Sequence, residues 1–218
     1  LLKLESSFGD AFDKIRSDTG ATGKELQQLQ KDFDVVFTTV PGTAEDASTA
    51  ISSLNARLGL TGEPLQALSA QFLNLSRLTK EDLGSSIENA TRVFGDWGVA
   101  VEDQSQTLDL LYNVTQQTGA SFTNLSSQLV QFGSPLRQMG FDLETTAALF
   151  GKFEKEGVNA ELVMGSLRQA LTKMAKAGIT DLPAALQASI KKIKEFKTDG
   201  EAAAAAAQIF GSRAGPDM

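Results

Sequence analysis

The decapeptide GATGKELQQL, beginning at Gly20, returns as GLTGEPLQAL at Gly59, 39 residues later and identical at six of ten positions. The same punctuation recurs at Gly98 (GVAVEDQSQTLDLL), Gly140 (GFDLETTAALF) and Gly178 (GITDLPAALQ), at intervals of 39, 42 and 38 residues. Each time a glycine and a mostly apolar residue precede a polar helix start and then apolar residues at helical spacing. A period near forty holds one helix, a turn and a returning helix. Such a unit cannot bury its apolar side alone and must stack on a neighbour. The expected fold is therefore all-α: an array of antiparallel helical hairpins, solenoid-like or an irregular bundle, of about ten to twelve helices. Residues 1–58 are read as N-terminal helices and residues 59–218 as the repeat core, with one continuous domain as the other reading.

Residues 139–157, MGFDLETTAALFGKFEKEG, show the unit most fully. In a helix over 143–156, Leu143, Ala147, Leu149, Phe150 and Phe153 share an arc of roughly 160°, with Lys152, Lys155 and the glutamates mostly off it. Asp142 is placed to cap the first amides, and Gly157 to close the helix in a left-handed turn. The other segments follow suit. Leu1, Leu4, Phe8, Phe12 and Ile15 are at helical spacing ahead of Gly20. Thr22 with Glu25, and Thr43 with Asp46, have the spacing of a capping box. The second pair opens a helix carrying Ala47, Ile51, Leu54 and Leu58. Thr79 with Asp82 is expected to cap a helix running to about Phe94. Residues 121–132 form another, which Gly133-Ser134-Pro135 is expected to break and restart. Over residues 160–177, Val163, Met164, Leu167, Ala170, Leu171, Met174 and Ala175 cover about 140° of the wheel. Pro183 starts a further helix ending in Lys191, Lys192, Lys194 and Lys197. The last, residues 201–210, contains six consecutive alanines, with Ile209 and Phe210 as its only large anchors. Val35-Val36-Phe37 fits helical spacing as well as alternation, so no strand is assigned.

Charge and the missing residue types narrow the function. There are 20 Lys and Arg against 27 Asp and Glu, a net charge of -7, and the basic residues are dispersed. Nucleic-acid affinity comes from clustered cations neutralising phosphates, so no specific nucleic-acid binding is expected. A path that DNA merely passes through is still permitted. Cysteine and histidine are both absent, which removes thiolate nucleophiles, imidazole bases and the usual zinc ligands together. Glu154 with Glu156, and Glu102 with Asp103, read as solvated neighbours on a helix face and not as a paired acid and base. Lys173 and Lys176 lack the context of a Ser-Lys dyad. The loop at 211–216, GSRAGP, follows a helix end, whereas a phosphate cradle precedes a helix start. The lysines from 191 to 197 suit a helix C-terminus, with a patch for an acidic partner as the second reading. Trp97 and Tyr112 read as packing residues. No catalytic, cofactor-binding or metal residue is assigned, no cofactor is expected, and no apolar run approaches the ~20 residues of a transmembrane segment. Leu1 in place of an initiator methionine suggests a piece of a longer polypeptide.

A resemblance adds to this. TGA at 19–21, TAEDASTAISSL from Thr43, GLTGEPLQAL from Gly59 and TGAS at 118–121 come in order. They are followed by FGSPLRQMGFDLETTAALFGKFEKEGV at 132–158, MGSLRQAL from Met164 and AAQIFGSRAGP at 206–216. Together, from about residue 10 onward, they resemble the globular helical region of tail tape-measure proteins of long-tailed bacteriophages. The sequence departs from that pattern at Ser134, which separates Gly133 from Pro135, and in a shorter, more basic stretch at 178–199. The resemblance implies a structural, non-enzymatic protein of the virion tail lumen, present in the host cytoplasm during assembly. It implies roles in tail assembly, length determination and genome ejection. The implied partners are the tail tube protein, tail assembly chaperones and distal tail proteins, with homo-oligomeric association. The competing readings are a helical-repeat adaptor or scaffold for a protein partner, a membrane-perforating module, and a cell-wall hydrolase segment.

Overall fold

The computed structural model describes residues 2–195 and 198–210, and within them the side chains of all but residues 2–6, 162 and 199. The expectations for Leu1 and the Leu4 side chain, for Lys197 and for the 211–216 loop fall outside the described residues. Eleven α-helices fill most of the remainder, and no strand occurs among the described residues. They are α1 (Leu2–Thr19), α2 (Gly23–Thr39), α3 (Ala44–Leu58), α4 (Glu63–Thr79), α5 (Leu83–Trp97) and α6 (Gln104–Thr118). Then come α7 (Phe122–Gln138), α8 (Leu143–Lys155), α9 (Ala160–Lys176), α10 (Leu182–Lys194) and α11 (Asp199–Phe210). One turn of 3-10 helix, Val101–Asp103, precedes α6.

The five glycines that mark the period share one conformation. Gly20, Gly59, Gly98, Gly140 and Gly178 have φ of 68°, 68°, 66°, 89° and 85°, the left-handed region that L side chains enter at a cost of roughly 1 kcal/mol and glycine enters freely. The regular interval is thus a series of helix-ending turns. A second series interleaves with it: Lys80, Gly119 and Gly157, at 64°, 80° and 69°, close α4, α6 and α8. The sequence reading found Gly157 but not the series, because its first member is a lysine.

Contacts divide the chain into two compact units, one of Leu1–Thr115 with Ser121–Val130, the other of Gln116–Ala120 with Gln131–Met218. In the first, α1 lies on α3 and α3 on α5, while α2 lies on α4. Alternate helices stack on one another, the packing of a helical array. Ile15, Phe33, Ile51, Leu54, Leu65, Phe72 and Ile87 are fully buried within it. At its start Phe8 meets Phe33 and Phe37 edge-on at 5.6 and 5.0 Å, and Phe33 stacks on Phe37 at 5.7 Å, geometries that add about 0.5–1.5 kcal/mol per pair to the burial itself. In the second unit α9 packs against α8, α10 and α11. Phe150, Leu167, Leu171 and Phe210 are buried there. Phe210 is the anchor expected of the alanine helix, with Ile209 half-buried beside it.

Four local expectations are corrected. Thr22 makes no side-chain cap, because Gly23, at φ 56°, turns the backbone between Thr22 and the helix, and Glu25 is left exposed. The Thr43–Asp46 box does form, with Thr43 Oγ1 accepting from Asp46 N at 3.0 Å and Asp46 Oδ2 accepting from Thr43 N at 3.3 Å. Thr79 does not open α5; its hydroxyl donates back to Leu75 O and accepts from Glu81 N, finishing α4. The break at 133–135 is absent. Helix α7 runs through Pro135, because Leu129, Gly133 and Leu136 fall on one buried face, and burying that face offsets the ~3 kcal/mol that an interior proline costs. On α9, Met174 is half-buried and Ala175 exposed, so the buried arc stops short of the predicted one.

Asp82 is the cap of α5, accepting from Ser85 N at 2.8 Å. That backbone hydrogen bond holds its carboxyl below the usual carboxylate range. A group whose pKa is depressed by folding stabilises above its unfolded pKa, and the contribution is lost as pH falls through the folded value. Asp82→Ala is therefore expected to cost about 1 kcal/mol at neutral pH. Urea denaturation should show wild type and variant converging below about pH 4, where the unfolded carboxyl protonates. A constant difference across that range would mean the carboxylate is not the cap.

Candidate functional site

Most of the buried polar side chains among the described residues are hydroxyls and amides, with Asp32 the one carboxylate; Asp32, Glu81 and Asp18 are all taken up by building. Asp32, on α2, is fully buried. It accepts from Gly62 N at 2.9 Å, from Gln66 Nε2 at 2.6 Å and from Gln28 Nε2 at 3.0 Å. Gly62 is the cap position of α4, so a carboxylate from one helix supplies the acceptor that the next-but-one helix lacks. Glu81 repeats the device with both oxygens, accepting from Phe122 N and Thr123 N at the start of α7, each at 2.7 Å. Asp18 joins α1 to α3 by accepting from Ser52 Oγ at 2.9 Å, and it pairs with Lys14 at 2.8 Å. Its carboxyl is held below the usual range, chiefly by the Lys14 hydrogen bond and against the opposing effect of burial. Oxygens engaged this way are poor candidates for moving protons. Sequence reasoning passed over Asp32 and Glu81. The signal for Asp32 was an acidic residue among Leu29, Phe33 and Val36 on an otherwise apolar arc.

The carboxylates and lysines weighed in the sequence lie elsewhere. Glu102 and Asp103 are exposed in the 3-10 turn, Glu154 and Glu156 exposed at the end of α8, and Lys173 and Lys176 exposed on α9. Trp97 ends α5 half-buried, and Tyr112 is half-buried on α6. Among the described residues no group of three or more acidic, His or Cys side chains could hold a metal ion. No helix there is long and apolar enough to cross a membrane.

What the structure does bring together is a groove of about 650 Å³ between α8 and α10, in the second unit. Its floor and walls are Phe141, Ala148 and Leu149 from one side and Pro183, Leu186 and Ile190 from the other. Lys152, Lys191 and Lys194, with Glu144, stand at its edges and are exposed. The lining follows from register. On both helices the lining positions run i, i+3, i+4, i+7, i+8 and i+11, one stripe of a helix three turns long. Every lining position on α10 lies 42 residues after one on α8 or just ahead of it, Phe141 before the helix answering to Pro183, Ala148 to Ile190 and Lys152 to Lys194. Stripes of the same internal spacing on α8 and α10 therefore face one space, displaced by about one turn from the 38-residue interval between Gly140 and Gly178. In the first unit α1 packs on α3, α3 on α5 and α2 on α4, whereas α8 and α10 make no comparable contact. The groove thus offers apolar surface edged by positive charge.

Residues 23–211 match the family described as phage-related minor tail protein. No curated protein and no solved structure matches the chain.

Proposed function

The chain belongs to the phage-related minor tail protein family, and we propose that within the tail it serves as a segment of the tape-measure protein. Family membership gives the coarser role, a structural component of a phage tail. The finer reading places the segment in the tail lumen after assembly in the host cytoplasm. There it acts in length determination and leaves ahead of the genome. Residues 59–218 are the repeat core of this segment and residues 1–58 its N-terminal helices. Its partners are the tail tube protein, the tail assembly chaperones, the distal tail proteins and other copies of itself.

The observation that supports this most is the period of about forty residues, closed at each step by a left-handed residue. A chain made of like helical units converts the number of units into distance, at about 10 Å per stacked hairpin or about 1.5 Å per residue where its helices are drawn out end to end, which is the property a ruler needs. The acidic balance, -7 over the chain, is consistent with a lumen through which DNA passes, since like charge limits adhesion. The experiment is an in-frame excision of one period, residues 59–97, from the phage gene, read as tail length by electron microscopy. Shorter tails are expected, and tails of unchanged length would overturn the reading.

A further inference from the structure

We propose that the groove between α8 and α10 is the seat of an amphipathic helix with acidic residues along its flanks, contributed by a partner protein. The groove's shape sets the occupant's form. Two parallel stripes of like register, each about three turns or roughly 17 Å long, leave between them the place of one more helix. Apolar residues at i, i+3 or i+4 and i+7 of that helix would meet Leu149, Leu186 and Ile190. The last two belong to α10, which packs on α9 and α11: Leu182 and Leu186 are buried there, while Ile190 and Ile193 stay half-covered.

Charge sets the occupant's chemistry. The chain carries -7 overall, yet this groove is edged by three lysines against one glutamate. No ion pair among the described residues involves Lys152, Lys191 or Lys194. Two of the three fall in the last turn of α10, where the helix terminus favours cations whatever the partner. Lys152 likewise falls in the last turn of α8, so each lysine suits its own helix end, and what bears on an occupant is that the two ends bring all three to one opening. A helix with glutamates on both flanks places opposite charge against both edges. A basic helix would meet like charge at three points. The proposal stands apart from the tape-measure reading, since a tail protein without any ruler function could hold such a helix.

The test uses the full chain and a synthetic, fluorescein-labelled helical peptide of about fifteen residues, with leucines on one face and glutamates on the flanks. A second peptide carries lysine in place of each glutamate. Anisotropy titration should show the acidic peptide binding and the basic one binding at least tenfold more weakly, about the combined weight of three partly exposed charge pairs. Lys152→Glu, Lys191→Glu and Lys194→Glu together should reverse that preference. These positions are exposed, so far-ultraviolet circular dichroism should show the variant folded. Ile190→Glu should abolish binding of both peptides. Equal affinity for the two peptides, or binding indifferent to Ile190→Glu, would overturn the proposal. So would self-association of the full chain that Ile190→Glu removes, which would assign the groove to a second copy.

Discussion

Leu167→Asp and Phe150→Asp are each expected to unfold the second unit at neutral pH. Leu167 is fully buried on α9, the helix that packs on α8, α10 and α11. Phe150 is fully buried on α8, with Phe132 at 6.0 Å and Phe153 at 6.2 Å between ring centres. Either substitution loses about 2–3 kcal/mol of apolar burial and places a carboxylate where nothing pairs with it, a further cost of several kcal/mol. The sum rivals the roughly 5–15 kcal/mol that holds a whole domain together. Circular dichroism during urea denaturation should find the unit's helices lost before the transition of the wild type begins. Arg168→Ala, next to Leu167 but exposed, is the control, expected to stay within about 0.5 kcal/mol of wild type. Wild-type melting of both aspartate variants would mean that the buried faces are misassigned.

The second large effect belongs to the first unit. Asp32→Ala removes the acceptor shared by Gly62 N, Gln66 and Gln28. The two glutamine amides are part-buried and can turn partly to water, but the Gly62 amide is fixed at the start of α4. Leaving buried donors unmade costs about 1–3 kcal/mol each, so a loss of about 3 kcal/mol is expected for alanine. Asn keeps one acceptor oxygen, and Asp32→Asn should fall between. Urea midpoints measure the loss, and hydrogen exchange at the α4 N-terminus locates it, since that end should fray first. A change below about 0.5 kcal/mol would show that the carboxylate is incidental to the stacking of α2 on α4.

How much of this was legible in the sequence depends on the range of the forces involved. Local chemistry read well. The left-handed glycines, the Thr43–Asp46 box, the Asp142 cap (Thr145 N donating to it at 2.6 Å) and the centres of the buried faces of α8 and α9, Ala147, Phe150 and Phe153 on one and Val163, Met164, Leu167, Ala170 and Leu171 on the other, all follow from residues within one or two turns. The failures lie where a distant partner decides. Pro135 is kept inside α7 by the buried face around it, and Lys80 adopts a glycine's conformation at the equivalent place of a repeat. Thr22 has a capping-box partner at the correct spacing, yet one glycine's dihedral redirects it. Asp32 and Glu81 cap helices that begin 30 and 41 residues downstream, and no local pattern reports that. The groove lies between these cases. Both of its stripes can be written from the sequence, as can the lysines at its edge. That α8 and α10 stand apart, when α1 and α3, α3 and α5, and α2 and α4 close up, is a property of the folded chain.

Tail length against the number of forty-residue periods is the measurement that bears most directly on the account. Phage genes carrying one period fewer, the natural number and one more would be compared by electron microscopy of assembled tails. If the helical units act as a ruler, length should rise with each added period. The step would be roughly 60 Å for 39 residues at about 1.5 Å each if the two helices of a period are drawn out end to end, and about 10 Å if they stay folded back, rounded to whole rings of the tube. Tails of one length across all three genes, with the protein present in each, would contradict it.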